Sequence, residues 1–104
     1  MKNKLKLGTI DSMMSNKTFR LITSIYIDTY IEKNRGIPFS RLCMKVDITM
    51  SHGIKILYNL ENEGIAKRNI INGRSYSVSL TEFGKDIGKS LTYVYDKLKA
   101  VKND

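Results

Sequence analysis

The sequence predicts one α+β domain that is mostly helical, in the order helix, helix, helix, strand, strand, helix. Three observations lead to this fold class. Four stretches carry apolar residues at helical spacing, and each follows a residue that can cap a helix. Two stretches with a period of two flank the dipeptide Asn72-Gly73, which suits a tight hairpin turn. A length of 104 residues allows one domain with a small core.

Residues 1–15 alternate lysine with small or apolar residues and show no helical period. We interpret them as a basic arm before a domain of residues 16–104. Lys2, Lys4 and Lys6 would let this arm follow phosphate groups. The sequence leaves open whether the arm is disordered, forms a short strand or lies over a partner subunit.

The first helix is predicted from Ser15 or Asn16, either of which can cap it, to about Arg35. Gly36 suits the left-handed position after the last helical residue, and Pro38 prevents continuation. The main apolar stripe consists of Phe19, Ile22, Tyr26 and Tyr30. It is widened by Leu21, Ile25, Ile27 and Ile31. Such a helix is expected to be buried on two sides, and a second subunit would cover one of them most easily.

A helix-turn-helix is predicted next. Ser40 is expected to cap a short helix over residues 41–46, with Phe39 and Met44 as a hydrophobic staple across its start. Leu42, Cys43 and Val46 would face inward. Residues 47–49 form the turn into the second helix of the motif.

That second helix, residues 49–63, has a start and a stop in the sequence. Thr49 is expected to accept a hydrogen bond from the His52 amide, and Gly64 to take the left-handed position of a Schellman ending. The predicted inward stripe is Met50, Gly53, Leu57 and Leu60. The predicted outward face is polar and consists of Ser51, His52, Lys55, Asn59 and Asn62.

The hairpin is predicted from strands at residues 65–71 and 74–80. A two-residue loop would pair Lys67 with Val78, whereas a three-residue loop pairs Ala66 with Leu80 on one apolar face. We favour the longer loop, because a slip of one residue exchanges every side chain between the faces of the sheet. Serines 75, 77 and 79 would then lie on the polar face.

The last helix is predicted over about residues 82–101, capped by Thr81. Its apolar residues are spaced close to a coiled-coil seam and are Phe83, Ile87, Leu91, Val94, Leu98 and Val101. Gly84 and Gly88 would allow another helix to come close.

This order resembles the winged helix fold over about residues 17–101. The most specific part is the run from Leu57 to Arg68, LYNLENEGIAKR, with SLTEFGKDI after the hairpin. It is similar to small winged-helix regulators of the MarR and PadR classes and of archaea and their viruses. There, a Leu-x-x-x-Gly-hydrophobic step joins recognition helix to wing, and a Leu-Thr-x-x-Gly step opens the last helix. The resemblance implies double-stranded DNA as partner, with helix 49–63 in the major groove and wing 65–80 on the backbone or minor groove.

The resemblance also implies which residues contact DNA. They are Ser40, Arg41, Ser51, His52, Lys55, Asn59, Lys67, Arg68 and Arg74. His52 and Lys55 are candidates for base edges, and Arg74 for the minor groove. Arg41, Lys67 and Arg68 are candidates for phosphate charge, and Ser40 and Ser51 for hydrogen bonds to phosphate. Two positions depart from the pattern, since Arg74 is the only cation at the wing tip and Gly53 replaces a branched apolar residue.

We predict a homodimeric transcription regulator joined through the last helix and the broad first helix. The expected interface residues are Phe19, Ile22, Tyr26, Phe83, Ile87, Leu91, Val94 and Leu98. A non-specific architectural DNA binder and a winged-helix protein-interaction module are the alternatives. Their DNA affinities separate them, because only a specific regulator prefers one duplex strongly.

The charge balance agrees with a polyanionic partner. Lysine and arginine number 18 against 10 acids, giving a net charge of +8, and the surplus falls mostly in residues 1–20 and 35–80. The single cysteine, Cys43, excludes an internal disulfide and favours a reducing compartment, so we expect a cytoplasmic protein. No apolar run approaches the roughly 20 residues of a membrane span, and no signal peptide is recognisable.

The sequence offers little for catalysis. His52 is the only histidine and, with one cysteine, cannot complete a metal site, so no metal or cofactor is expected. Cys43 reads as an inert core residue rather than a redox sensor. There is no phosphate-binding glycine motif and no catalytic set, so we predict no enzyme. Tyr93 and Tyr95 could frame a ligand pocket with the tyrosines of the first helix, but the sequence identifies no effector.

Overall fold

A computed structural model of the chain describes residues 15–34 and 36–102 and contains the predicted elements in the predicted order. The helices are α1 (Lys17–Tyr26, continued by a π-helical turn, Ile27–Ile31), α2 (Phe39–Lys45), α3 (Met50–Asn62) and α4 (Glu82–Lys102). The strands β1 (Ala66–Asn72) and β2 (Ser75–Leu80) pair antiparallel. Residues 1–14 of the predicted arm, with Lys2, Lys4 and Lys6, lie outside the described residues.

The hydrophobic core lies where α1, α2, α3 and the base of the hairpin meet. Its most completely buried large side chains are Phe39, Leu21, Leu57 and Cys43. Leu42 and Val46 are also buried, so the predicted inward face of α2 is confirmed. Two tyrosines of the α1 region, Tyr26 and Tyr30, pack against the core without being fully buried.

The first helix begins as predicted but ends earlier. Asn16 caps α1 by accepting a hydrogen bond from the Phe19 amide at 3.0 Å. The last turn of the helix is wider than an α-helical turn. The Glu32 amide donates to the Ile27 carbonyl, five residues earlier in the chain, at 2.8 Å. The helix ends at Ile31, and Lys33 takes a left-handed φ of 59° that prevents its continuation. The predicted end at about Arg35 is therefore wrong.

The start of α2 differs from the prediction. The helix begins at Phe39 rather than Arg41, and the Pro38 carbonyl accepts hydrogen bonds from the Arg41 and Leu42 amides. Ser40 is therefore the second helical residue and not the cap. Met44 is 80% exposed, so the predicted staple with Phe39 is wrong.

Both ends of α3 confirm the prediction. Thr49 accepts a hydrogen bond from the His52 amide, and Gly64 has a φ of 71°. The Ile65 amide donates to the Leu60 carbonyl at 2.8 Å, which is the long hydrogen bond of a Schellman ending. A Cβ on Gly53 would lie 2.5 Å from the Cys43 sulfur, so this glycine allows α3 to approach α2 closely. Met50, predicted to face inward, is 40% exposed.

The body of the hairpin has the register of the longer loop, with Ala66 opposite Leu80 and Ile70 opposite Tyr76. The register shifts between Ile70 and Asn72, so Asn72 pairs with Ser75 and a bulge replaces the third loop residue. Ser77, predicted on the solvent face, is buried. Pro38 forms an isolated antiparallel bridge to Ser77 and thereby adds a short third segment to the sheet.

The last helix is joined to the end of α3 through Ile65. Thr81 caps α4 by accepting a hydrogen bond from the Gly84 amide, and its own amide donates to the Ile65 carbonyl, both at 3.0 Å. A Cβ on Gly84 would lie 1.9 Å from that carbonyl oxygen. A Cβ on Gly88 would lie 2.9 Å from the Tyr26 Cβ on α1, so both glycines serve close packing within the chain.

Candidate nucleic-acid interface

The polar face of α3 is free for a partner. Ser51, His52, Lys55 and Asn59 are all exposed, as is Asn62 at the end of the helix. The buried residues of α3, Gly53, Ile56, Leu57 and Leu60, fix the opposite face in the core. This helix therefore presents short polar side chains and one lysine on a rigid support, which suits contacts to base edges.

The start of α2 and the tip of the hairpin lie beside the start of α3. A small surface hollow of about 70 Å³ is lined by Ser40, Met50 and Arg74 together with their neighbours. Arg41 is exposed on the following turn. Four predicted contact residues, Ser40, Arg41, Ser51 and Arg74, thus belong to adjoining segments of one surface.

Arg68 does not have the free side chain that the sequence prediction assumed. Its Nε donates to both carboxylate oxygens of Glu61, at 3.0 and 3.1 Å, and its Nη2 lies 3.0 Å from Oε1. Hydrogen bonding to Glu61 raises the pKa of the Arg68 guanidinium, so it stays charged in this pair. The side chain is 27% exposed and engaged with Glu61, so we propose a structural role for Arg68 in place of the predicted phosphate contact.

Two tyrosine rings enclose the same guanidinium. The Arg68 Cζ lies 5.0 Å from the centre of the Tyr58 ring and 4.8 Å from that of Tyr76. On the other side of Tyr76, the ring of Phe39 is stacked at 5.6 Å. Phe39, Tyr76, Arg68 and Tyr58 therefore form a continuous stack, which we call the arginine stack. It connects the core, the wing and α3.

The sequence prediction missed Glu61, Tyr58 and Tyr76 as partners of Arg68. One signal was present, since Glu61 precedes Arg68 by seven residues across the glycine turn that ends α3. A chain reversal at Gly64 brings these two positions together. The two ring contacts carried no comparable signal, because they depend on how the hairpin folds back onto α3.

The wing surface is free of negative charge. Residues 66–80 contain Lys67, Arg68 and Arg74 but no aspartate or glutamate. Lys67 and Arg74 are exposed, and Asn69 donates to the Ser79 hydroxyl across the strands. With Arg68 neutralised by Glu61, these two cations supply the free charge of the wing.

An ion pair between the half-exposed Lys45 and the buried Asp28 joins α2 to the π-helical turn. The Lys45 ammonium donates to Asp28 at 2.5 Å, and Asp28 has only 4% of its side chain exposed. The pKa of the Lys45 ammonium is raised, chiefly by this hydrogen bond to Asp28. Lys45 thus ties α2 to the π-helical turn and is not available as a contact cation.

The residues predicted at a dimer interface fall into three groups. Phe19, Phe83 and Val94 are exposed, at 39%, 58% and 38%. Tyr26, Ile87 and Leu91 are half-buried and pack against the core of their own chain. Ile22 and Leu98 are buried, so they can add little area to an interface. The exposed members lie on α1 and α4, the two helices predicted to pair.

The remaining candidates form no further chemical site. Tyr95 lines a groove of about 400 Å³ between α1, α2 and α4, while Tyr93 is exposed and Tyr26 and Tyr30 lie outside that lining. Cys43 is buried, and burial raises the pKa of its thiol. Among residues 15–34 and 36–102, no three histidine, cysteine, aspartate or glutamate side chains converge as metal ligands would. Within the same residues, no helix is both long and apolar enough to cross a membrane.

Comparison with known proteins gives the fold. Neither a protein-family model nor a curated protein matches the sequence. AF1382 from Archaeoglobus fulgidus superposes with a TM-score of 0.75 at 18% identity, covering 86% of this chain and 96% of that one. The S. aureus MepR–DNA complex gives 0.72 at 15% identity, covering 93% and 82%. The MarR family transcriptional regulator SPO1453 from Silicibacter pomeroyi DSS-3 gives 0.64 at 17% identity, covering 89% and 63%. The chain has the winged-helix fold of MarR-like proteins.

Proposed function

We propose that this protein is a homodimeric transcription regulator that binds double-stranded DNA at specific sequences. The observation that carries the proposal is the single surface made by the start of α2, the exposed polar face of α3 and a wing without acids. A surface of this kind matches the major groove and the phosphates beside it. The fold is also that of MepR, which has been crystallised with DNA.

Each exposed residue has a proposed role. His52, Lys55 and Asn59 on α3 contact base edges in the major groove. Hydrogen bonds to phosphate come from Ser40 and Ser51, and phosphate charge is met by Arg41 and Lys67. Arg74 enters the minor groove at the wing tip.

A dimer would present two copies of this surface. The exposed apolar residues Phe83 and Val94 on α4, with Phe19 on α1, give the first candidates for the contact between copies. Two α3 helices would then occupy successive major grooves on one side of the duplex. The operator would be a pseudo-palindrome with half-sites about 34 Å apart, or a multiple of this distance.

Selection of binding sites from random duplex DNA tests the proposal. Enrichment of a palindrome is expected, with light scattering at micromolar concentration giving the mass of a dimer. Binding that depends on salt but enriches no sequence would make the protein an architectural DNA binder. Absence of DNA binding would favour a protein-interaction module, and a monomeric mass would refute the dimer.

Lys55→Ala tests the role of α3 directly. If Lys55 reads a base, the variant loses about 1–3 kcal/mol of affinity for the selected duplex. The matched control is Lys89→Ala, which removes an exposed lysine from α4. Equal affinities of Lys55→Ala and the unmodified protein in a titration would remove Lys55 from the interface.

A further inference from the structure

Two isoleucines are exposed beside the wing tip. Along β1, Ala66 and Ile70 lie on the same face of the sheet, but Ala66 is 4% exposed and Ile70 is 73% exposed. Ile71, at the bulge, is 45% exposed. The face of β1 that carries Ala66 and Arg68 therefore ends in an exposed isoleucine beyond the core.

The exposure of Ile70 and Ile71 indicates a binding surface. Scattered exposed isoleucines are ordinary, but two adjacent ones lie here on a strand that pairs on one side only among the described residues. Strands of this kind usually carry charge or end early, because an apolar edge invites association. Here Asn72, Gly73 and Arg74 follow the isoleucines directly.

The surroundings of the pair favour nucleic acid over a protein or a membrane. No acid occurs in residues 66–80, and Arg74 and Lys67 are exposed on the same hairpin. Arginine and asparagine at a tip with apolar side chains beside them are what minor-groove binders use. At about 3.3 Å per residue, Ile71 lies roughly 7 Å from Gly73, which is close to the minor-groove depth of about 7.5 Å.

We propose that Ile70 and Ile71 form an apolar wedge that packs in the minor groove beside Arg74. Ile71 contacts the inside of the groove, and Ile70 packs on the sugars at its rim. A tip of two strands, about 4.8 Å apart before side chains are counted, is broad for a groove about 6 Å wide. The wedge therefore opens the groove. This inference rests on the proposed function for the DNA partner, but it does not require a specific operator.

The test uses two 30-base-pair duplexes, one of alternating A·T pairs and one with 2,6-diaminopurine in place of adenine. Diaminopurine keeps the major-groove pattern of adenine and adds the minor-groove amino group of guanine. The unmodified protein is expected to bind the A·T duplex roughly tenfold more tightly. The double variant Ile70→Thr/Ile71→Thr keeps the branched Cβ that suits a strand. It should lose about tenfold on the A·T duplex, with little change on the other and an unchanged salt slope.

The control is Ile31→Thr, which changes an exposed isoleucine outside the wing and α3 and should bind both duplexes normally. If the double variant melts at a lower temperature, Ile71→Thr alone replaces it, because Ile71 lies at the bulge. Two results would overturn the wedge: undiminished binding of the A·T duplex by the variant, or equal weakening on both duplexes. Undiminished binding would leave the isoleucines for a protein partner. Failure of the unmodified protein to bind either duplex would also overturn the wedge, whereas the proposed function is refuted only if selection from random duplex DNA yields no binding.

Discussion

Replacing Arg68 by alanine separates a structural role from a phosphate contact. The change removes the hydrogen bonds to Glu61 and both ring contacts of the arginine stack. The ion pair has 27% of each side chain exposed, so it contributes only up to about 1 kcal/mol. Each ring contact at a partly exposed site adds about 0.5–1 kcal/mol. The loss should be about 2 kcal/mol, lowering the Tm of a domain of this size by roughly 10 °C.

Thermal unfolding followed by circular dichroism measures this loss, and Lys67→Ala is the control. Lys67 precedes Arg68 on β1 and is exposed, so its removal should leave the Tm nearly unchanged while lowering the salt slope of DNA binding by about one charge. Arg68→Lys keeps the charge but loses the planar fork, and should destabilise almost as much as alanine. The opposite pattern, a normal Tm with a reduced salt slope in Arg68→Ala and rescue by lysine, would refute the structural role.

Three further predictions concern the packing and its titration. Gly84→Ala should lower the free energy of unfolding, measured in urea, by about 2–3 kcal/mol, because the added Cβ would collide with the Ile65 carbonyl oxygen. A variant as stable as the unmodified protein would show that α4 can shift away. Cys43 should react with a thiol reagent at pH 8 only as fast as the domain opens, since it is buried and its thiol pKa is raised; rapid reaction of the folded protein would contradict this. Because the hydrogen bond to Asp28 raises the pKa of Lys45, stability from this pair is present below about pH 10.5 and is lost as the pH rises through the folded value. Lys45→Met should therefore lose less stability than the unmodified protein as the pH rises above about 10.5, and parallel curves would count against the pair.

Features set by neighbouring residues could be predicted from the sequence. The cap at Thr49 and the stop at Gly64 depend on hydrogen bonds within one turn, and both are confirmed. The register of the hairpin body followed from its alternation, because the wrong register would have exposed Leu80. The predicted start of α2 was wrong, because both Pro38 and Ser40 are residues that can begin a helix. The Pro38 carbonyl, and not the Ser40 side chain, accepts the first hydrogen bonds of α2, since Phe39 is buried in the core and the helix begins two residues earlier than predicted.

The site was predictable as a set of exposed positions but not as a set of contacts. Exposure of His52 and Lys55 follows from helical spacing alone. The fate of Arg68 depends on Tyr58 and Tyr76, which come from different elements and meet only when the wing folds onto α3. The π-helical turn after Tyr26 had no sequence signal, although the buried Asp28 within it was visible as an acid among apolar residues.

The hydrogen bonds of Ile65 connect α3 to α4, and in a dimer this connection would determine the distance between the two α3 helices. Its amide closes the end of α3, and its carbonyl accepts from Thr81 and touches Gly84 at the start of α4. Because Ile65 contacts both helices, the angle between α3 and α4 is fixed within one chain. In a dimer joined through α4, a small change in the angle between the two copies would swing the α3 helices apart or together. The spacing of half-sites would then be governed by side chains more than one helical turn from any base.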